Sequence, residues 1–156
     1  MNAQDQSSIH LYVLQQLRRN LPTKLITYTF PGDSQKLNFP FRDVIEYGHH
    51  YVNTINVFRA LPSTIEEMTN EFGVPKSKIV FGIAIGCNEF SENVDLEKAA
   101  LYARYVKDEG LAGVMTWSWN RDTDHRISST TNECNYWQTG EPDGSFFNAI
   151  YNELQN

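Results

Sequence analysis

Four short segments rich in β-branched and aromatic residues recur along this chain, each separated from the next by a helical stretch. They are residues 24–30 (K-L-I-T-Y-T-F), 51–58 (Y-V-N-T-I-N-V-F), 78–85 (K-I-V-F-G-I-A-I) and 113–119 (G-V-M-T-W-S-W). Such composition favours strands. Strands joined through helices pair in parallel by right-handed crossovers, because only antiparallel neighbours can be joined by a hairpin. The order is one helix followed by four strand–helix units, which predicts an α/β fold with a parallel sheet. A complete (β/α) barrel takes eight such units and about 250 residues, whereas this chain has 156. The expectation is therefore a single domain over residues 1–156, either a small open α/β sheet or half of a barrel.

Local signals place the helices. Ser7 or Ser8 opens the first, and Pro22 closes it after about Asn20. A short helix over 42–47 stops at Gly48. Ser63 followed by Glu66 three residues later reads as a capping box, with Gly73 and Pro75 beyond the helix end. Asn93 or Asp95 opens a long helix that ends before Gly110, and Asp143 caps a last helix over 144–154.

Composition narrows the function. Hydrophobic residues make up 40% and charged residues 21%, the balance of a globular chain. The net charge of −6 argues against nucleic acid and against anionic membranes, which call for basic patches. No apolar run reaches the ~20 residues of a membrane span. The start M-N-A-Q-D-Q-S-S is not a signal peptide, so either the protein is cytoplasmic or a longer, secreted parent carries its leader elsewhere. Aromatic residues at 13% fit a sugar-facing surface. Neither G-x-x-x-x-G-K nor G-x-G-x-x-G occurs, so no nucleotide or other cofactor is expected. His49-His50 and the group Asp122, Asp124 and His125 lack further ligands at metal-binding spacing, and no metal is expected. Cys87 and Cys134 are two free thiols or, if both follow strands at one end of the sheet, a disulfide.

The stretch G-V-M-T-W-S at 113–118, followed by a polar loop with Asp122 and Asp124, resembles the eighth barrel strand of family 18 glycoside hydrolases, the chitinases and their relatives. The preceding segments follow in the same order. L-Q-Q-L-R-R-N-L-P-T-K-L-I-T-Y-T-F-P-G resembles the fourth helix and fifth strand, H-H-Y-V-N-T-I-N-V-F stands at the sixth strand, and K-S-K-I-V-F-G-I-A-I-G at the seventh. The resemblance covers about Ser8 to the end. It implies a parallel half-barrel, strands five to eight of a TIM-type barrel, from a parent that hydrolyses β-1,4-linked N-acetylglucosamine polymers by substrate-assisted retaining chemistry. Two departures matter. The acid motif D-x-x-D-x-D-x-E is absent, so no catalytic residue is assigned and the chain alone is expected to be inactive. The sixth-strand motif, M-x-Y-D or Q-x-Y-N in the family, falls on Ile55, Val57 and Phe58. The alternative is a non-catalytic, chitinase-like binding or interaction module.

The candidate substrate-binding residues are Trp117, Tyr28, Asn56, Glu89 and Asp122, facing chitin or an N-acetylglucosamine oligosaccharide. Trp117 would be the floor under the sugar. Tyr28 serves either the barrel mouth or the core, and Asn56 is either a ligand donor or a satisfied buried amide. Asn88 and Glu89 follow the third strand and Asp122, Asp124 and His125 the fourth, as site residues or as ordinary solvated loop positions. A barrel cut in half exposes two strand edges and one sheet face, so self-association through those edges is expected as well.

Overall fold

The computed structural model describes residues 3–32, 41–87, 93–122 and 141–156. In chain order the elements are α1 (Ala3–Asn20), β1 (Thr27–Pro31), α2 (Phe41–Gly48), β2 (Thr54–Phe58), α3 (Pro62–Asn70), β3 (Ile79–Ala84), the two-residue strands β4 (Gly86–Cys87) and β5 (Asn93–Val94), α4 (Leu96–Glu109), β6 (Gly113–Trp117) and α5 (Ser145–Gln155). The main sheet has the order β1-β2-β3-β6, and every pair in it is parallel. The α/β half-barrel pattern of four parallel strands alternating with helices is thus the observed fold. Asn88, Glu89, Asp124, His125, Cys134 and Trp137 lie outside the described residues, and with them the question of a disulfide.

In-register neighbours of a parallel sheet share a face, so the pairing divides the side chains into two sets. One set faces the helices: Tyr28 beside Ile55 and Ile79, then Phe30 beside Val57, Phe81 and Val114. Ile55, Val57, Ile79 and Phe81 are all 0% exposed, and they form the core with Ile65 and Met68 of α3 and Ala99, Ala103 and Val106 of α4. The other set faces the open side: Thr29, Asn56, Val80 and Gly113 in one row, then Pro31, Phe58, Gly82 and Met115 in the next. This face is less apolar than strands built for burial on both sides would give. Threonine, asparagine, glycine and alanine fill much of it, and the large apolar groups on it are Phe58, Val80, Met115 and Trp117.

Gly82 sits where the backbone of β2 comes closest. A Cβ there would stand 2.6 Å from the Val57 carbonyl oxygen and 2.8 Å from the Phe58 Cα. The amino-terminal end of the sheet is tied by polar contacts. Lys78 donates from Nζ to the carbonyls of His49 and Val52, 3.0 Å each. The buried His49 ring donates from Nδ1 to the Ile45 carbonyl at 2.8 Å.

Helix ends depart from the local signals in instructive ways. Asp95 caps α4 as expected, accepting from the Lys98 amide at 2.8 Å, and Gly110 closes it with φ of 66°. The capping box at Ser63 does not form. Pro62 takes the first helical turn, where its missing N–H is no loss, and Leu61 precedes it. The strands start later than composition suggests: Lys24 closes a turn by donating its amide to Leu21, and Tyr51 ends a 3-10 turn, His49–Tyr51. His49 and His50 therefore stand on a turn rather than a strand, with their rings 3.8 Å apart.

Two outcomes follow for stability. Gly82→Ala overpacks a backbone contact with no room to yield, and urea titration should show a loss of about 1–3 kcal/mol. Burial holds the His49 imidazole below its ordinary value of 6.5, outweighing the opposing pull of the Ile45 carbonyl. The fold thus prefers neutral His49, so its contribution is present above pH 6.5 and is lost as the pH falls below it. The thermal midpoint of the wild type should drop more steeply below pH 6.5 than that of His49→Asn.

Candidate functional site

At the carboxyl end of the sheet the open face narrows to one aromatic pair. β6 ends on Trp117, whose neighbour in register on β3 is Ala84. Phe58, the last residue of β2, has Gly82 as its neighbour on β3. β3 therefore interposes no large side chain, and the two rings meet across it with centroids 5.9 Å apart, edge to face at 70°. Trp117 remains 50% exposed despite this contact. A flat apolar ring that is half exposed can stack on another apolar plane. In (β/α) folds ligands gather at this end of the strands.

One row below, Asn56 donates from Nδ2 to the Thr29 hydroxyl at 3.2 Å on the same face. It is half-buried, between the two alternatives that the sequence left open. Immediately after β2, Arg59 adopts φ of 53°. It lines a recess of about 220 Å³ with Ala84, Val94 and Tyr102 beside the end of β3.

Two expectations about residue placement, those for Tyr28 and Asp122, are corrected here. Tyr28 is not at the mouth. It shares the parity of Ile26 and Phe30, turns toward α1 and meets His10 Nδ1 with its hydroxyl at 3.1 Å. Burial pushes its hydroxyl up to about 12, as expected of a packing residue. Ile55 and Val57 are sealed against the helices and cannot offer anything to the open face, whereas Asn56 and Phe58 lie on it. Asp122 is not a solvated loop residue. It is buried, with Oδ1 accepting from the Phe146 amide at 2.9 Å and Oδ2 from the Phe147 amide at 2.8 Å. Its own carbonyl accepts from the Gly144 amide at 2.7 Å. Asp122 thus caps α5 from across the structure, in place of Asp143, while Gly144 holds the N-cap position with no side-chain bond. The neighbouring Arg121 is buried too and donates to the Ile85 carbonyl at 3.4 Å, tying the segment after β6 back to β3.

Phe58 was not among the residues expected at the site, yet it shares the open face with Trp117 and meets its ring. The alternation N-V-F at 56–58, polar then buried then aromatic, is the signal that would have found it. Among the described residues no three His, Cys, Asp or Glu side chains converge as a metal site would require, and no helix is long and apolar enough to cross a membrane.

This fold has counterparts among solved structures. Catalytic-site mutants of active domain 2 of a chitinase from Pyrococcus furiosus superpose with a TM-score of 0.70 at 17% identity, over 99% of this chain and 57% of theirs. The same domain complexed with chito-oligosaccharides gives 0.71, again at 17% identity and with the same coverage. The catalytic domain of a hyperthermophilic chitinase from that organism gives 0.68 at 18% identity, over 91% of this chain and 54% of its own. The chain has the fold of part of a chitinase barrel. It spans little more than half the length of those domains. No family model and no curated protein matches it.

Removing the remote cap tests the account of Asp122. Asp122→Ala leaves two helix amides without their acceptor, and hydrogen bonds to a charged group contribute about 1.5–3 kcal/mol each at most. A loss of roughly 1–3 kcal/mol in denaturant titration is expected, with faster amide exchange in the first turn of α5.

Proposed function

We propose that this chain is the carboxyl-terminal half, strands five to eight, of a chitinase-like barrel, and that Trp117 with Phe58 forms the floor for an N-acetylglucosamine oligosaccharide. The observation that carries this reading is the half-exposed Trp117 indole at the carboxyl end of the last strand, in a fold shared with chitinase domains. One of those domains is a complex with chito-oligosaccharides. The apolar face of a pyranose ring stacks on such an indole, and Asn56 with Thr29 supplies hydrogen-bonding groups on the same face, one row below Phe58 and two below Trp117.

The parity of β2 also moves the family's sixth-strand motif. M-x-Y-D or Q-x-Y-N runs over Asn56, Val57, Phe58 and Arg59, with the first and third positions on the open face. Phe58 then takes the tyrosine's place without its hydroxyl, and Arg59 takes that of the acid or amide. The ring survives while the groups that orient the substrate's acetamide do not. In the parent, a protonated glutamate on a strand outside this sequence would supply the leaving-group proton, a contribution commonly of ~10²–10⁴-fold. A second reading, a chitinase-like binding module without hydrolysis, is favoured by this replacement.

Calorimetric titration of the chain with N-acetylglucosamine tetramer should give measurable binding and no cleavage product. Trp117→Ala should weaken binding about tenfold or more, the equivalent of roughly 1.4 kcal/mol. Phe58→Tyr should retain it. Binding that Trp117→Ala leaves unchanged would remove the platform, and turnover that survives repurification would contradict the missing acid.

A further inference from the structure

The residue directly after Phe58 reverses the polarity of the rim beside the aromatic pair. With the sixth-strand motif running over residues 56–59, Arg59 stands where the family has an acid or an amide. Both of those offer an acceptor, whereas a guanidinium offers none and keeps its positive charge. The Arg59 backbone lies in the left-handed region, at φ of 53°, which residues with a Cβ uncommonly adopt. Its Nε is buried, and the side chain lines the recess of about 220 Å³ at the end of β3. Among the described residues around that recess, Arg59 carries the only charge and Tyr102 is the only other polar side chain. The Tyr102 ring is held against Phe81 with centroids 5.2 Å apart, and Lys98 Nζ lies 5.7 Å from its centre. The recess adjoins the aromatic pair, because Gly82 and Ala84, the register neighbours of Phe58 and Trp117, form part of its wall.

Resting on Trp117 and Phe58 as the sugar platform, we infer that Arg59 selects a carboxylate on the bound oligosaccharide, so that acidic N-acetylaminosugar chains are preferred to neutral ones. A ring stacked on Trp117 brings its substituents to the wall formed by Gly82 and Ala84, since neighbouring strands are only about 4.8 Å apart. Of the groups a sugar can carry there, a carboxylate gains most from a planar guanidinium fork, through short, charge-assisted hydrogen bonds. A guanidinium has five N–H donors, so bonds made within the protein do not exhaust it. Tyr102 adds a hydroxyl to the same lining. The one charge in that lining matches the single charge of a carboxylate better than the nearly double charge of a phosphate group. The neighbouring apolar wall, with Leu61, Ile83 and Val94, keeps water from competing for the pair.

The test is calorimetric titration of the 156-residue chain with three tetrasaccharides: the neutral N-acetylglucosamine tetramer, its C6-carboxylate derivative and its 3-O-lactyl ether. At least one acidic tetramer should bind about tenfold tighter than the neutral one. Converting its carboxylate to the amide should remove that gain. Arg59→Asn drops the charge while suiting a left-handed backbone, and should bring the ratio of acidic to neutral affinity down to about one. Arg59→Lys should keep part of the preference, as a point charge without the fork. An arginine with a merely structural role would lower both affinities on substitution and leave their ratio where it was. If Arg59→Asn loses its far-ultraviolet dichroism, the amide comparison on the wild type decides. Equal affinity for acidic and neutral tetramers, or a preference that survives Arg59→Asn or amidation, would overturn the inference and leave the platform standing. Affinities unchanged in Trp117→Ala would sink the platform alone, and no binding of any tetramer by the wild type would sink both.

Discussion

Parity along the parallel strands governs this structure. Each strand has one set of side chains locked into the core by helices, and pairing in register transmits the choice from strand to strand. Ile55, Val57, Ile79 and Phe81 are completely buried, and their burial contributes roughly 1.5–3 kcal/mol each. A one-residue slip would exchange these for Asn56, Phe58, Val80 and Gly82. The hydrophobic term thus fixes which residues are left on the open face, and the candidate site is what remains once the core has taken its share.

Much of the fold was legible because its signals are local. Strand composition, the Gly110 helix stop and the Asp95 cap act within a few residues of where they are read. Parity was legible too, in the alternation I-T-Y-T-F at 26–30, and it assigns Tyr28 to the core beside Ile26 and Phe30. Treating Tyr28 as a mouth residue gave its chemical type more weight than its period. The same period buries Ile55 and Val57 and leaves Asn56 and Phe58 on the open face. Asp122 was illegible for a different reason. Its partners, the amides of Phe146 and Phe147, are more than twenty residues away, and nothing near Asp122 in sequence announces them. Asp143 was the natural local choice for the cap, but long-range geometry overrides it.

The segment after β6 shows how the site's neighbourhood is built. Asp122 fastens α5, Arg121 reaches back to the Ile85 carbonyl, and the two stand a few residues beyond Trp117. The fixed framework begins almost where the exposed indole ends. A ligand platform gains from such support, because a ring that moves freely loses entropy on stacking whereas one already held does not.

Neighbouring strands are spaced roughly 4.8 Å apart, so β2 and β6, with β3 between them, lie close to 10 Å from each other. Phe58 and Trp117 nevertheless meet, because Gly82 and Ala84 leave the intervening strand without side chains to separate them. The depth and tilt of the platform are therefore set by residues too small to reach a ligand themselves. Valine at position 84 would prise the rings apart and turn one shallow shelf into two separate ledges, leaving both aromatic residues untouched. The geometry of the exposed aromatic pair can in this way drift through changes at the one strand that contributes no large side chain to it.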